Sequence, residues 1–148
     1  MNNLTLIATV LFVVSMPVLL IAANVRWVIN APALYSSGFD RHKIEVATGL
    51  ERKELLSAAR QIRDYFNGDM EFLDVMVKIR NVRRPLYNER EILHMKDVKG
   101  LIRGVYRVSE AVWAYMLIFV LVGFAARRRA FYPRLLRLLR RGGILTLV

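Results

Sequence analysis

The stretch from Leu4 to Ala23 runs for twenty residues without a charge. At about 1.5 Å per residue a helix of that length is about 30 Å long, the thickness of a bilayer's hydrocarbon core. It therefore reads as a membrane-spanning segment. The competing reading is a cleaved signal peptide, since "IAANV" supplies small residues after the run. The leader "MNN" lacks the positive charge such peptides carry, however, and the run is long for their apolar region. A second uncharged run, "AVWAYMLIFVLVGFAA" from Ala111 to Ala126, has sixteen residues and needs an upstream turn of helix to complete a crossing. Tyr106, Trp113 and Tyr115 at its upstream end are the amphipathic rings that settle at headgroup level. Two such runs predict an all-α membrane protein. A third apolar run starts at "GGILTLV" and reaches the last residue, so the expected architecture is two transmembrane helices plus the start of a third.

Arginine counting predicts the topology. Seven arginines and no acid lie between Arg127 and Arg141, and such clusters stay on the cytoplasmic side. Residues 25–109 hold sixteen of the 23 Lys and Arg and eleven of the 12 Asp and Glu, a mixed-charge segment that can be translocated. The expected organisation is a first transmembrane helix over 1–24 with a cytoplasmic N-terminus. An extracytoplasmic helical segment follows over 25–107, then a second transmembrane helix over 108–126. A basic cytoplasmic loop over 127–141 and the incomplete start of a third helix over 142–148 complete the chain. In "RRRAFYPRLLRLLRR" leucines alternate with arginines, which suits a helix lying on anionic headgroups. Its position between two apolar runs favours membrane lipid over nucleic acid as its partner.

Within the outer segment, "TGLERKELLSAARQIRDYFNG" is the clearest helix. Thr48 and Glu51 fit a capping box, Asn67-Gly68 supplies a stop, and Leu55, Ala59, Ile62 and Phe66 form one apolar stripe. That stripe is expected to pack on the helix that follows or on the membrane surface. "SSGFDRHKIEVA" reads as a loop or short extended piece, and "EFLDVMVKI" is too short for periodicity to separate helix from strand. Pro85 closes what precedes it, and Asn88 with Glu91 makes a second capping box. From there Ile92, Met95, Val98, Ile102 and Val105 recur at helical spacing. One long helix is predicted, starting outside and entering the membrane. Gly100 and Gly104 form a small-xxx-small pair that lets another helix approach.

The absence of cysteine excludes disulfides, a thiolate nucleophile and sulfur-ligated zinc. No nucleophile elbow, Walker A loop or dinucleotide fingerprint occurs. What remains is "NEREILHMKDVKGL" at 88–101. On a helix Glu91, His94 and Asp97 share one face, and a carboxylate beside an imidazole fixes its tautomer and raises its basicity. The plainer reading is a solvated charged face that includes a histidine. Glu-x-x-His also occurs in carboxylate metal sites, but these need a second such pair. His42 is the only other histidine, so neither a metal nor another cofactor is expected.

The order of these segments resembles a bacterial family of integral membrane proteins that includes the lipoprotein intramolecular transacylase. The resemblance covers nearly the whole chain. Its most specific part is R-E-x-x-H-M-x-D-V-K from Arg90 to Lys99, supported by Tyr-Phe-x-Gly ending at Gly68. It implies a multi-pass acyltransferase of the bacterial plasma membrane. Such an enzyme moves an acyl chain from the diacylglyceryl group of a lipoprotein to its N-terminal cysteine amine. The implied partners are membrane lipid and the lipoprotein substrate. His94 is the implied base and Glu91 or Asp97 its orienting carboxylate, with Tyr87, Arg90, Lys96 and Lys99 available for headgroup atoms. The family's second histidine motif, of Phe-His-x-x-Phe-Phe type, lies beyond a third span, so this chain is expected to be a fragment lacking that half of the site. The alternative is a non-catalytic interaction module of the cell envelope.

Overall fold

The computed structural model describes residues 3–79 and 82–147. Met1 and Asn2 of the leader and Val148 of the last apolar run lie outside the described residues. Helices α1 (Asn3–Asn30), α2 (Pro32–Arg41), α3 (Ile44–Thr48) and α4 (Arg52–Asn67) are followed by strands β1 (Met76–Ile79) and β2 (Val82–Pro85). Helix α5 (Glu89–Arg127), a 3₁₀ turn over Arg128–Phe131 and helix α6 (Tyr132–Leu147) complete the order. The chain is 83% helical, in keeping with the predicted class, and the hairpin is the departure from it. It divides into two compact units, residues 1–26 with 105–148, and residues 27–104.

Among the described residues α1 and the helical run Glu89–Leu147 are long and apolar enough to cross a membrane. Polar side chains of α1 bond back to their own helix: Thr9 Oγ1 donates to Thr5 O, Ser15 Oγ to Leu11 O, and Asn24 Nδ2 to Leu20 O. These three donors are thereby satisfied within the helix rather than left facing an apolar surround. Phe12 is fully buried and stacks on Phe119 at 4.6 Å between centroids, and Tyr115 Oη donates to Ala8 O at 2.6 Å. Phe131 packs edge-on against Phe124 at 5.2 Å. It fills space that only a glycine leaves, because a Cβ on Gly123 would fall 2.2 Å from its ring.

Helix α6 begins at Tyr132 and absorbs most of the basic segment. Arg134 Nη2 donates to Thr9 Oγ1 at 2.8 Å, and a Cβ on Gly142 would meet Met16 Cγ at 2.5 Å. The two contacts advance together along both helices, so α6 runs parallel to α1 and packs closely on it. Residue 142, the expected start of a new segment, lies inside this continuous helix.

In the second unit α4 buries Leu55, Ala58, Ala59, Tyr65 and Phe66 and packs on α2 and β1. The expected stripe forms, with Ile62 half-buried, and α4 packs on both α2 and the hairpin. The last four residues of "EFLDVMVKI" are strand, and along the segment Leu73, Val75 and Val77 are buried in alternation at 1–2% exposure. β1 pairs antiparallel with β2 from Met76↔Pro85 to Ile79↔Val82, and Leu86 N donates to Val75 O. A two-stranded ribbon is marginal alone, and here α4 completes it. Gln61 both donates to Met76 O and accepts from Met76 N at 3.2 Å, while Glu54 accepts from Lys78 N at 2.8 Å.

Two other expectations are corrected. "SSGFDRHKIEVA" is helical, forming most of α2 and α3. Pro32 starts α2, and Lys43 in the left-handed region (φ 50°) turns the chain between the two helices. Arg52 then ties the assembly together, bonding both carboxylate oxygens of Asp40, Ser36 Oγ at 2.7 Å and Glu45 at 3.4 Å. This non-local cation overrides a weak local pattern. For the same reason the Thr48–Glu51 capping box does not form. Thr48 belongs to α3, where its hydroxyl donates to Ile44 O, and Glu51 is the residue that precedes α4, without a side-chain cap.

Candidate functional site

The first turn of α5 is set by the predicted box: Asn88 N donates to Glu91 Oε2 at 2.8 Å, and Glu91 N to Asn88 Oδ1 at 3.0 Å. Two orphan amides of the helix start are satisfied reciprocally. This commits one carboxylate oxygen of Glu91 to the backbone and aims it at the helix terminus. Asp97 and His94 remain exposed, one turn apart on the same helix, and among the described residues no hydrogen bond or ion pair engages either. Arg90 is likewise exposed. Tyr87 is partly buried beside the box. Burial first, and then the Glu91 carboxylate, holds its hydroxyl above the ordinary phenol range, so it is a hydrogen-bond donor.

The other two residues expected to meet headgroups, Lys96 and Lys99, have partners inside the protein. With Arg103 they form a ladder at spacings of three and four on one face of α5, and this ladder holds the turn after α4. Lys96 Nζ pairs with Glu71 Oε1 at 2.7 Å and lies 4.6 Å from the Phe72 ring centre. Lys99 Nζ donates to Met70 O at 2.6 Å and sits 4.1 Å above the Tyr65 ring. Arg103 Nη2 donates to Gly68 O at 2.6 Å and to Asp69 Oδ1 at 2.9 Å. Tyr65 Oη closes the turn by donating to Glu71 O at 3.2 Å.

Lys99 is only 5% exposed. Burial, reinforced by the nearby Arg103 charge, pulls its ammonium below the usual lysine range, and the carbonyl and ring face are what keep the cation in place. Lys96 moves the other way, raised by its bond to Glu71.

The ladder explains why two separate sequence signatures occur together. Tyr65 begins and Gly68 ends the Tyr-Phe-x-Gly segment, Lys99 ends the segment containing His94, and the Lys99 ammonium joins the two by sitting over the Tyr65 ring, while Gly68 O is held by Arg103. Sequence reading missed Arg103, Tyr65 and the carbonyls of the 68–71 turn as partners. The available signal was the spacing of Lys96, Lys99 and Arg103 on a helix already predicted.

A second flank of α5 is uncovered. Leu93 and Leu101 are 57% and 73% exposed, and a Cβ at Gly100 or Gly104 would meet nothing. Leu93, Leu101, Gly100 and Gly104 therefore lie open beside the exposed Asp97 on the helix that carries His94. Among the described residues no group of three or more acidic or histidine side chains could hold a metal ion.

No curated protein and no solved structure matches the chain. A family model described as lipoprotein intramolecular transacylase Lit matches residues 10–148, which takes in α5 with His94 and the turn that its cations hold. By that match over almost its whole length, the chain belongs to the lipoprotein intramolecular transacylase family.

Proposed function

We propose that this protein is an integral membrane acyltransferase that moves an acyl chain from the diacylglyceryl group of a bacterial lipoprotein to the α-amine of its N-terminal cysteine. The observation that carries the reading is the family match over residues 10–148. In the proposed reaction His94 removes a proton from the cysteine ammonium, and the freed amine attacks the ester carbonyl. The glycerol oxygen leaves by taking that proton back from His94, and the second proton that the nitrogen sheds as the amide forms passes to His94 and on to solvent, so an amide forms as an ester breaks. The substrate brings its own nucleophile, which fits a chain without cysteine and without a serine elbow. Asp97 is the better orienting carboxylate, because Glu91 is engaged at the helix start. Arg90 and Tyr87 are the headgroup contacts, since Lys96 and Lys99 serve the 68–71 turn. The exposed Leu93 and Leu101 are the apolar contacts that α5 offers an acyl chain near His94. The proposed setting is the plasma membrane, with residues 25–107 extracytoplasmic.

The test expresses the protein in a bacterium whose lipoproteins carry diacylglyceryl cysteine and sequences the N-terminal lipopeptide by mass spectrometry. Conversion leaves the total mass unchanged and places one acyl group on nitrogen, and His94→Ala abolishes it. Equal conversion by His94→Ala would remove the base assigned here. No conversion by the parent chain would favour the envelope interaction module, for which His94→Ala costs partner capture and alters no lipid.

A further inference from the structure

The two apolar helices of the first unit leave a groove of about 300 Å³ between them. Its walls are Leu4 and Ala8 from α1 with Phe119 and Val122 from α5, and its mouth holds Arg127, the last residue of α5, and Arg134 of α6. Arg134 is held by a hydroxyl, Thr9 Oγ1, and by no carboxylate among the described residues. Arg127 has no bond to a described residue. The unit's one acid is Glu110, which pairs with Arg26, whereas seven arginines crowd the segment beginning at Arg127. An apolar slot opening onto uncompensated guanidinium groups is complementary to a molecule with a hydrocarbon tail and a negative head. A soluble anion would satisfy the arginines and leave the apolar walls exposed. We propose that this groove is a binding site for an anionic phospholipid, with its phosphate at Arg127 and Arg134 and an acyl chain along Leu4, Ala8, Phe119 and Val122.

The site is independent of the acyl-transfer reading, and its ligand is a resident lipid of the bilayer. The test reconstitutes the full chain into nanodiscs of phosphatidylcholine containing phosphatidylglycerol, extracts it gently, and measures retained lipid by native mass spectrometry. Phosphatidylglycerol is retained in preference to phosphatidylcholine. Arg127→Gln/Arg134→Gln lowers retention about thirtyfold, whereas Arg137→Gln/Arg140→Gln, with the same loss of charge outside the groove, leaves it unchanged. Equal losses in the two double variants would assign retention to diffuse charge and overturn the site, as would retention unaffected by Arg127→Gln/Arg134→Gln. If that double variant does not extract as folded protein, Arg127→Gln alone keeps the test, with a severalfold loss expected and none refuting the proposal. Ala126→Trp, which fills the groove without changing charge, separates lipid from free anion. It abolishes retention if the acyl chain lies there. Undiminished retention, or displacement of the lipid by glycerol phosphate as readily as by phosphatidylglycerol, overturns the assignment.

Discussion

Replacing Lys99 with methionine keeps most of the side-chain volume and removes the ammonium. The structure assigns that ammonium two contacts, Met70 O at 2.6 Å and the Tyr65 ring at 4.1 Å. A hydrogen bond from a charged donor is worth about 1.5–3 kcal/mol, and losing it here strands a carbonyl in a partly buried turn. A desolvated cation–π contact adds about 2 kcal/mol. Against these stands relief from burying a cation, whose presence is registered by the lowered ammonium pKa. The expected net is a loss of about 2 kcal/mol, or roughly a thirtyfold rise in opening of the 68–71 turn. Amide exchange followed by mass spectrometry is the assay. Peptides covering Gly68 to Leu73 should exchange roughly thirtyfold faster in Lys99→Met, while peptides from α6 should be unchanged. Unaltered exchange in the turn would show that Arg103 and Lys96 suffice to hold it. A uniform acceleration across both units would show that the substitution acts on global stability. Either result refutes the local role given to Lys99.

Two further outcomes follow from the packing and the charges. Gly123→Ala forces its new methyl into the Phe131 ring and should cost about 2 kcal/mol, much of it recovered in Gly123→Ala/Phe131→Leu. Thermal unfolding in detergent measures the cycle, and additivity of the two changes would refute the contact. Arg52 holds the Asp40 carboxyl below its ordinary value of 3.8, chiefly through their hydrogen bond. The folded state therefore binds this proton less readily than the unfolded chain. The resulting stability is present above pH 3.8 and is lost as pH falls through the lower folded value. Protease cleavage within α2 and α3 should rise in that acid window in the parent chain, and in Arg52→Gln it should already be raised at neutral pH and change little on acidification.

Much of this protein is determined locally and is legible without a structure. The uncharged run of α1 forces helix formation, because only internal hydrogen bonding satisfies a backbone in an apolar surround. The Asn88–Glu91 box and the apolar spacing from Ile92 onward place the start and continuity of α5 correctly, since caps and 3.6-residue periodicity act over a few neighbouring positions. What the sequence alone did not determine depends on partners distant in the chain. Strand β1 exists because Gln61 and Glu54 satisfy its open edge, and α2 and α3 are joined by Arg52. A short alternation such as Leu73, Val75 and Val77 acquires meaning only when a helix is present to cover it. The same holds around His94. Its helix was readable, but the sequence left Lys96 and Lys99 as free cations on the His94 face. Only the tertiary structure spends them on the carbonyls and acids of the 68–71 turn, because a buried ammonium is tolerated where a carbonyl and an aromatic face meet it.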